Sequence, residues 1–548
     1  MTNDVRNKIL VLDDEKLVRM TIGSKLRKSG FDAVEVANVQ DAVAMLQQDG
    51  CREFRAVITD IMMEGMDGFV FRDIVRGLDA AMPIFFMTAL DPEEGGGFLK
   101  RIMEDSNSHY LPKSVKAEVL LNRVRSIVGS RRVERIIRRK EEEDRQATAL
   151  AAQVQRSMLP TRTQMDRDGF YTTLWVPKEG VSGDLYEAVP FGSRCRLYVL
   201  GDVQGHGVSA ALAMAAVQSQ LRQLEQPDGA PRAGPAEIAN LLQRFFRENL
   251  AEVSYMTALV CIHHPCEGFV EWINCGAPDL AVLDPAQEVQ VDANPERRGG
   301  LPIGLMPGTV YGPQDVVRTP LAPTAVCVAH TDGVLDISRD DDGLERMPDA
   351  ERVKIRDELV LEARRRGETV AAPYKCLEAF RAMGYSYFGD DVTEMVFGGR
   401  LQREGMFDAA VPLIPESVDR AAREIEAWCA GRGWDPGLST RVQLVLEEKL
   451  MNLHDHGFEY PQQLREVACV RLKGEGAGAE LTVWDCGTPD PSLQVAAGST
   501  DVAFDLANRG GAGRGRGRLM VREMCHGIER NRYGALNETI YHVGSGAE

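Results

Sequence analysis

The 548-residue chain has no apolar run that approaches the roughly 18 residues a membrane span requires. Its first residues, MTNDVRNKIL, lack the apolar core of a secretory leader. Basic residues are in deficit: 64 Lys and Arg stand against 82 Asp and Glu, a formal charge of -18, which argues against nucleic acid or an anionic membrane as a direct partner. No CxxC pair occurs among the 11 cysteines and their number is odd, so a disulfide framework is not expected. A cytoplasmic protein is the expectation. The one Cys and His cluster, CIHHPC at Cys261, His263, His264 and Cys266, matches no common zinc spacing, and the alternation of TALVCIHHP reads as a strand entering a turn.

The length implies three or four domains, and the patterning divides accordingly. Over residues 1–128 apolar strands such as KILVLDD, AVITD and PIFFMTA alternate with amphipathic segments, the pattern of a doubly wound parallel sheet. Ligands of such sheets bind at the carboxyl ends of strands, where Asp13, Asp14, Asp60, Thr88 and Lys113 fall. Three carboxylates at one rim suit a hard cation, and a lysine there can neutralise an oxyanion added to an aspartate. From Lys8 to about Val128 the chain resembles the receiver domain of two-component response regulators. The resemblance implies Asp60 as phosphoacceptor and Asp13, Asp14 and the Met62 carbonyl, with Asp60, around Mg²⁺. It further implies contacts of Thr88 and Lys113 with the phosphoryl group, Tyr110 as switch aromatic, and an upstream histidine kinase or phosphotransfer protein as donor. Met66 and Ser114 stand where that family often has proline.

Residues 129–159 read as a helix ended by Pro160. Val133, Ile137, Ala147, Ala151, Val154 and Met158 recur at 4-3 spacing, interrupted by Lys140 and Asp144. This is either a weak parallel coiled coil, which would make the protein a homodimer, or a single solvated helix.

Over 160–400 four acidic motifs border apolar strands: VSGDLYE with Asp184, GDVQGHG with Asp202, AHTDGVLD with Asp332, and FGDDVTEMVF with Asp390 and Asp391. Carboxylates at strand ends with small neighbours can hold two divalent ions that clamp a phosphate and activate water. In this order the motifs resemble the metal-dependent PP2C-type protein phosphatases, and QRSMLP, MTALV, INCGAPDLAVL and GLPIGLMPG resemble the sporulation and stress-response branch. A β-sandwich flanked by helices follows, with two Mn²⁺ or Mg²⁺ held by Asp184, Asp202, the Val203 carbonyl, Asp332 and Asp390. Asp391 competes for the last place, Ala277 stands where histidine is frequent, and His206 has no assigned role. The resemblance implies a substrate, a phosphoserine or phosphothreonine on an anti-anti-sigma (STAS-type) protein. The acidic insert RDDDGLERMPDAERVKIRDELVLEARRRGE reads as a solvated surface feature.

Over 401–548, VLEEKLMNLHDHGF places Glu448, Asn452 and His456 on one helix face. LTVWDCGTPDP ends a strand in Asp485 and Gly487, and GAGRGRGRLMV supplies a glycine loop before a helix. The three boxes resemble the Bergerat-type α/β sandwich of serine kinases that act as anti-sigma factors. By resemblance Glu448 is the base, Asn452 holds Mg²⁺, Asp485 reads adenine of ATP, and Gly487, Gly515 and Gly517 line the nucleotide. A sigma or anti-sigma factor is a further partner implied. Arg516 and Arg518 stand where apolar residues are usual, and the preceding helix ESVDRAAREIEAWCAG has no phosphoacceptor histidine.

Overall fold

The computed structural model describes residues 8–48, 51, 53–63, 67–88, 96–166, 169–205, 207–226, 228–250, 255–286, 289–291, 300–340, 342–399, 405–458, 466–475, 477–487, 516–533 and 535–544. It divides into two compact units, Met1–Gln146 and Ala147–Glu548.

In the first unit β1 (Lys8–Leu12), α1 (Lys16–Lys28), β2 (Asp32–Val36), α2 (Val39–Gln48), β3 (Phe54–Asp60), α3 (Gly68–Leu78), β4 (Ile84–Thr88), α4 (Gly96–Met103) and β5 (Ser108–Pro112) alternate strictly. The strands form a parallel sheet in the order β2-β1-β3-β4-β5, with one apolar core on each face. The near-continuous apolar runs of β1, β3 and β4 are what a strand covered on both faces requires. Gly68 lets α3 start directly on the end of β3, because a Cβ there would lie 2.3 Å from the Asp60 carbonyl oxygen. The last helix of the receiver pattern, α5, runs as one element over Ala117–Met158 and stops just before Pro160, as the sequence indicates.

The second unit starts from β6 (Thr163–Asp166), β7 (Gly169–Val176), β8 (Asp184–Pro190) and β9 (Arg196–Val203). Two helices follow, α6 (Gly207–Arg222) and α7 (Pro235–Asn249), then β10 (Met256–His264), β11 (Phe269–Cys275), β12 (Ala281–Asp284), β13 (Val289–Val291), β14 (Val317–Pro320) and β15 (Val326–His330). A small hairpin of β16 (Ile337–Ser338) and β17 (Tyr387–Phe388) encloses α8 (Asp349–Arg366) and α9 (Ala372–Ala382), and β18 (Val392–Gly398) completes the set. Two antiparallel sheets result, β14-β11-β10-β9-β8 and β13-β12-β15-β18-β7-β6. Helices α6 and α7 share a core with the first sheet, α8 and α9 with the second. The CIHHPC segment is the end of β10 and its turn, as expected.

The insert containing α8 is not the solvated feature the sequence suggested. Arg352, Arg356, Asp357, Val360 and Arg364 form a buried stripe at helical spacing. Arg352 donates to the Leu335 carbonyl at 2.5 Å, and Arg364 to the carbonyls of Thr324, Pro323 and Gly399 at 2.9, 3.1 and 2.8 Å. Hydropathy reads such a stripe as solvent-facing; the guanidinium groups are buried against backbone carbonyls for Arg352 and Arg364 and against the Asp357 carboxylate for Arg356.

The chain then forms β19 (Met406–Pro412), α10 (Pro415–Ala430), α11 (Pro436–His456), β20 (Val467–Glu475), β21 (Gly478–Asp485), a helix over Arg516–Met524, β22 (Cys525–Tyr533) and β23 (Leu536–Val543). The sheet order is β19-β20-β21-β23-β22, all antiparallel. Alternation assigns its two faces: Ala468, Val470, Leu481 and Val483 pack under α10 and α11, while Cys469, Trp484 and Leu536 join the core of α8, α9 and β7. Arg471 ties the same contact, donating to Asp408 at 2.8 Å and to the Gly367 carbonyl at the end of α8, 5.1 Å from the Trp484 ring.

Candidate functional site

At the rim of the parallel sheet, Asp13 and Asp60 are buried, Asp14 is exposed, and ligand atoms of the three carboxylates lie within 4.8 Å of one another. No other group of three or more His, Cys, Asp or Glu among the described residues meets that spacing. Lys113 reaches in from the end of β5, with Nζ 2.6 Å from Asp60 Oδ2 and 3.2 Å from Asp13 Oδ2. Burial pulls the lysine pKa down, but the hydrogen bond and charge of Asp60 and the charge of Asp13 outweigh it and hold the pKa above its usual value. Burial raises the pKa of Asp13 against the Glu15 amide and Lys113. An all-oxygen trio of this spacing fits a hard cation such as Mg²⁺. Thr88 ends β4 beside it, buried, with its carbonyl accepting the Lys113 amide at 2.9 Å. Met62 follows Asp60 and is exposed, its amide 3.4 Å from Asp60 Oδ1. The Tyr110 hydroxyl is buried without a hydrogen-bond partner among the described residues, and its ring lies 6.0 Å from Phe98. Met66 lies outside the described residues.

In the second unit, Asp184 opens β8 and stands directly opposite Asp202 on β9. Gly183 permits the approach, since a Cβ there would lie 2.8 Å from the Val203 carbonyl. Asp332 opens a short 3-10 turn after β15, and Gly333 presses it against the residues before β18, where a Cβ would lie 1.8 Å from the Asp391 carbonyl oxygen. Burial first, then the charges of Asp332, Asp390 and Asp391, push the Asp202 pKa up to about 8. Burial and Asp202 raise Asp184, and burial and Asp390 raise Asp332. The chief charges acting on each of these acids are other acids, an arrangement that divalent cations would relieve. No three of them share the close spacing of the first rim.

Sequence reasoning missed the groups that hold this site. Asp184 Oδ2 accepts from Thr331 Oγ1 at 2.8 Å and Thr393 Oγ1 at 2.5 Å. Asp391 is buried with both oxygens committed, to the Lys178 amide at 2.7 Å and the Gly183 amide at 2.8 Å, whereas Asp390 is partly exposed beside Asp332. Gln155, in the last turn of α5, exchanges hydrogen bonds with the backbone of Ser182 at 2.6 and 3.0 Å, and Ser182 Oγ accepts the Asp184 amide at 3.0 Å. The sequence signal for Thr331 and Thr393 was their adjacency to the acids; Gln155 gave none. Ala277 serves a backbone turn with Asn274, and His206 lies outside the described residues.

On α11, Asn452 donates its amide to Glu448 Oε1 and to the Glu448 carbonyl, both at 2.7 Å, which leaves its oxygen as the ligand atom. Asp485 ends β21 and accepts from the Gly487 amide at 3.0 Å and Asn537 Nδ2 at 2.8 Å. Acceptor, amide oxygen and glycine turn are of the types that a Mg²⁺-nucleotide needs. Gly517 lies at the start of the Arg516–Met524 helix; Gly515 lies outside the described residues.

Comparison with known proteins matches residues 9–125 to the response regulator receiver domain, 193–398 to stage II sporulation protein E, and 411–540 to the histidine kinase-like ATPase domain. Similar curated proteins include the response regulator MprA of Mycobacterium tuberculosis, 32% identical over 22% of this chain and 50% of that protein. A cyclic di-GMP phosphodiesterase of Thermotoga maritima is 25% identical over 20% and 28%. The chain thus spans half or less of these relatives. Among solved structures, the RsbU and RsbW domains of a Mycobacterium tuberculosis protein align over 70% of this chain and 95% of theirs, at 16% identity and TM-score 0.37. The SiaA-PP2C domain of Pseudomonas aeruginosa aligns over 48% and 99%, at 20% identity and TM-score 0.37.

Proposed function

We propose that this chain, which carries a receiver, a SpoIIE/PP2C-type phosphatase domain and a histidine kinase-like ATPase domain, sets the phosphorylation of a serine or threonine on an anti-anti-sigma protein. The observation that carries the reading is the Asp202 carboxyl, driven up to about 8 by burial and by three acids from two other segments. In this reading Asp60 accepts a phosphoryl group from a phosphohistidine donor while Lys113 neutralises the added charge, and Thr88 and Tyr110 turn toward it. Asp184, Asp202, the Val203 carbonyl, Asp332 and Asp390 hold two Mn²⁺ or Mg²⁺, which when bound polarise the phosphate and lower the pKa of the attacking water. Asp391 and the two threonines fix the carboxylates rather than bind metal. In the ATPase domain Glu448 takes the proton of the accepting hydroxyl, Asn452 holds Mg²⁺, and Asp485 with Gly487, Gly515 and Gly517 holds the nucleotide.

The end of α5 touches Ser182, two residues before Asp184, which supports a receiver signal passed along this helix, as a change of register or of dimer packing. Arg516 and Arg518 favour a second reading, in which the C-terminal domain captures the partner or a sigma factor without catalysis. The experiment is incubation of the intact chain with candidate anti-anti-sigma proteins. Phosphate release should require Mn²⁺ or Mg²⁺ and fall by orders of magnitude in Asp202→Asn. Transfer from ATP should vanish in Asn452→Ala. ATP binding with no transfer to a protein that the phosphatase does act on would select the capturing reading.

A further inference from the structure

The corner assigned to the nucleobase contains a cation. Lys449 follows Glu448 on α11, and its Nζ lies 2.9 Å from Asp485 Oδ2, a side chain only 1% exposed. Oδ1 of the same carboxylate is filled by the Gly487 amide and by Asn537 Nδ2. The Asn537 amide also reaches the Gly487 carbonyl at 2.9 Å, so the carboxylate cannot turn without breaking both contacts. Oδ2 is buried and has no aligned hydrogen bond: its contact with Lys449 is an ion pair off the line a hydrogen bond needs. The corner therefore holds, side by side, a buried acceptor without an aligned hydrogen bond among the described residues and an ammonium whose recorded partner among them is that carboxylate.

An aspartate alone offers acceptors only. It takes the N6–H of adenine or the N1–H of guanine, but it leaves the O6 of guanine beside a negative charge without a donor. An acceptor beside an ammonium suits either purine. Adenine gives N6–H to Asp485 and needs no cation beside it; guanine gives N1–H to Asp485 and takes a hydrogen bond from Lys449 at the neighbouring O6. We propose that Lys449 is a specificity-determining residue that opens this site to guanine as well as adenine nucleotides. The inference rests on the nucleotide-binding reading above and deepens it.

The test is equilibrium binding of unlabelled ATP, GTP and inosine triphosphate to the intact chain with Mg²⁺, by displacement of a fluorescent ATP analogue and by calorimetry. GTP should bind within about tenfold of ATP, since a good two-point base contact is worth roughly tenfold to 100-fold. Inosine triphosphate, which keeps O6 and N1–H without the 2-amino group, should follow GTP. Lys449→Met should weaken GTP by at least tenfold more than ATP, and Lys449→Arg, which keeps the cation, should preserve the wild-type ratio. A merely structural lysine would weaken both nucleotides alike in Lys449→Met, and that result overturns the proposal. So does wild-type binding of ATP with GTP more than 100-fold weaker, a measurement that stands even where a variant fails to fold; in that case the nucleotide-binding reading survives. Binding of none of the nucleotides, measured directly by calorimetry, removes both.

Discussion

Replacing Gln155 by leucine tests whether α5 governs the phosphatase site. The side chain is buried, and leucine, one heavy atom smaller, fills most of its space while both backbone groups of Ser182 lose their partners at 2.6 and 3.0 Å. A buried polar group left unpaired costs about 1–3 kcal/mol, so the present arrangement of this segment is disfavoured by about 2–6 kcal/mol. Ser182 carries the Asp184 amide, and the next residue, Gly183, carries Asp391. A segment that escapes this cost by moving takes both acids with it. Since 1.4 kcal/mol is tenfold, the Mn²⁺ concentration for half-maximal phosphate release should rise at least tenfold in Gln155→Leu. Gln155→Glu, which keeps the acceptor for the Ser182 amide and loses the donor, should fall between. The assay is phosphate release from a phosphopeptide as Mn²⁺ is titrated into the intact chain, with circular dichroism to establish that each variant is folded. A folded Gln155→Leu protein whose metal requirement and turnover stay within twofold of wild type would refute the reasoning.

Two further outcomes follow from the same site. Gly333→Ala places a methyl group against the Asp391 carbonyl, separates Asp332 from Asp390, and should lower turnover at least 100-fold; turnover near wild type would show that the turn yields without moving the acids. In the metal-free protein the raised Asp202 stabilises the fold in its protonated form, so its contribution is complete below the unfolded aspartate pKa near 4 and is lost as pH rises through about 8. Chelator-treated protein should therefore melt progressively lower between pH 5 and pH 8.5 and recover with Mn²⁺ at the upper end; a melting temperature that rises over that range without metal would contradict the cluster.

The parallel sheet and its rim were legible because each acid ends an apolar run, and a strand end has only one place in a doubly wound sheet. The four acids of the second site were legible for a similar reason, as glycine-flanked strand ends. What stayed hidden depends on contacts between distant segments. Nothing local distinguishes Asp390 from Asp391; the amides of Lys178 and Gly183 that fill Asp391 come from a segment 208 to 213 residues away. Lys449 looked like an ordinary helix lysine beside Glu448, since helical spacing assigns a face but does not say that β21 ends against it. Arg352, Arg356 and Arg364 defeated hydropathy because their guanidinium groups are buried against partners, backbone carbonyls for Arg352 and Arg364 and the Asp357 carboxylate for Arg356, that helical spacing does not reveal.

Cys469, Trp484 and Leu536 belong to a hydrophobic core whose other members include residues of α8, α9, β7, β12, β15 and β18. Two modules that share a core share a lifetime. A destabilising substitution in either exposes apolar surface of both, and quality control then removes both in equal number. Their dosage is locked at one to one whatever the level of expression, and neither can be silenced by loss of stability while the other persists. Independent tuning is left to substitutions that touch a site and spare the fold.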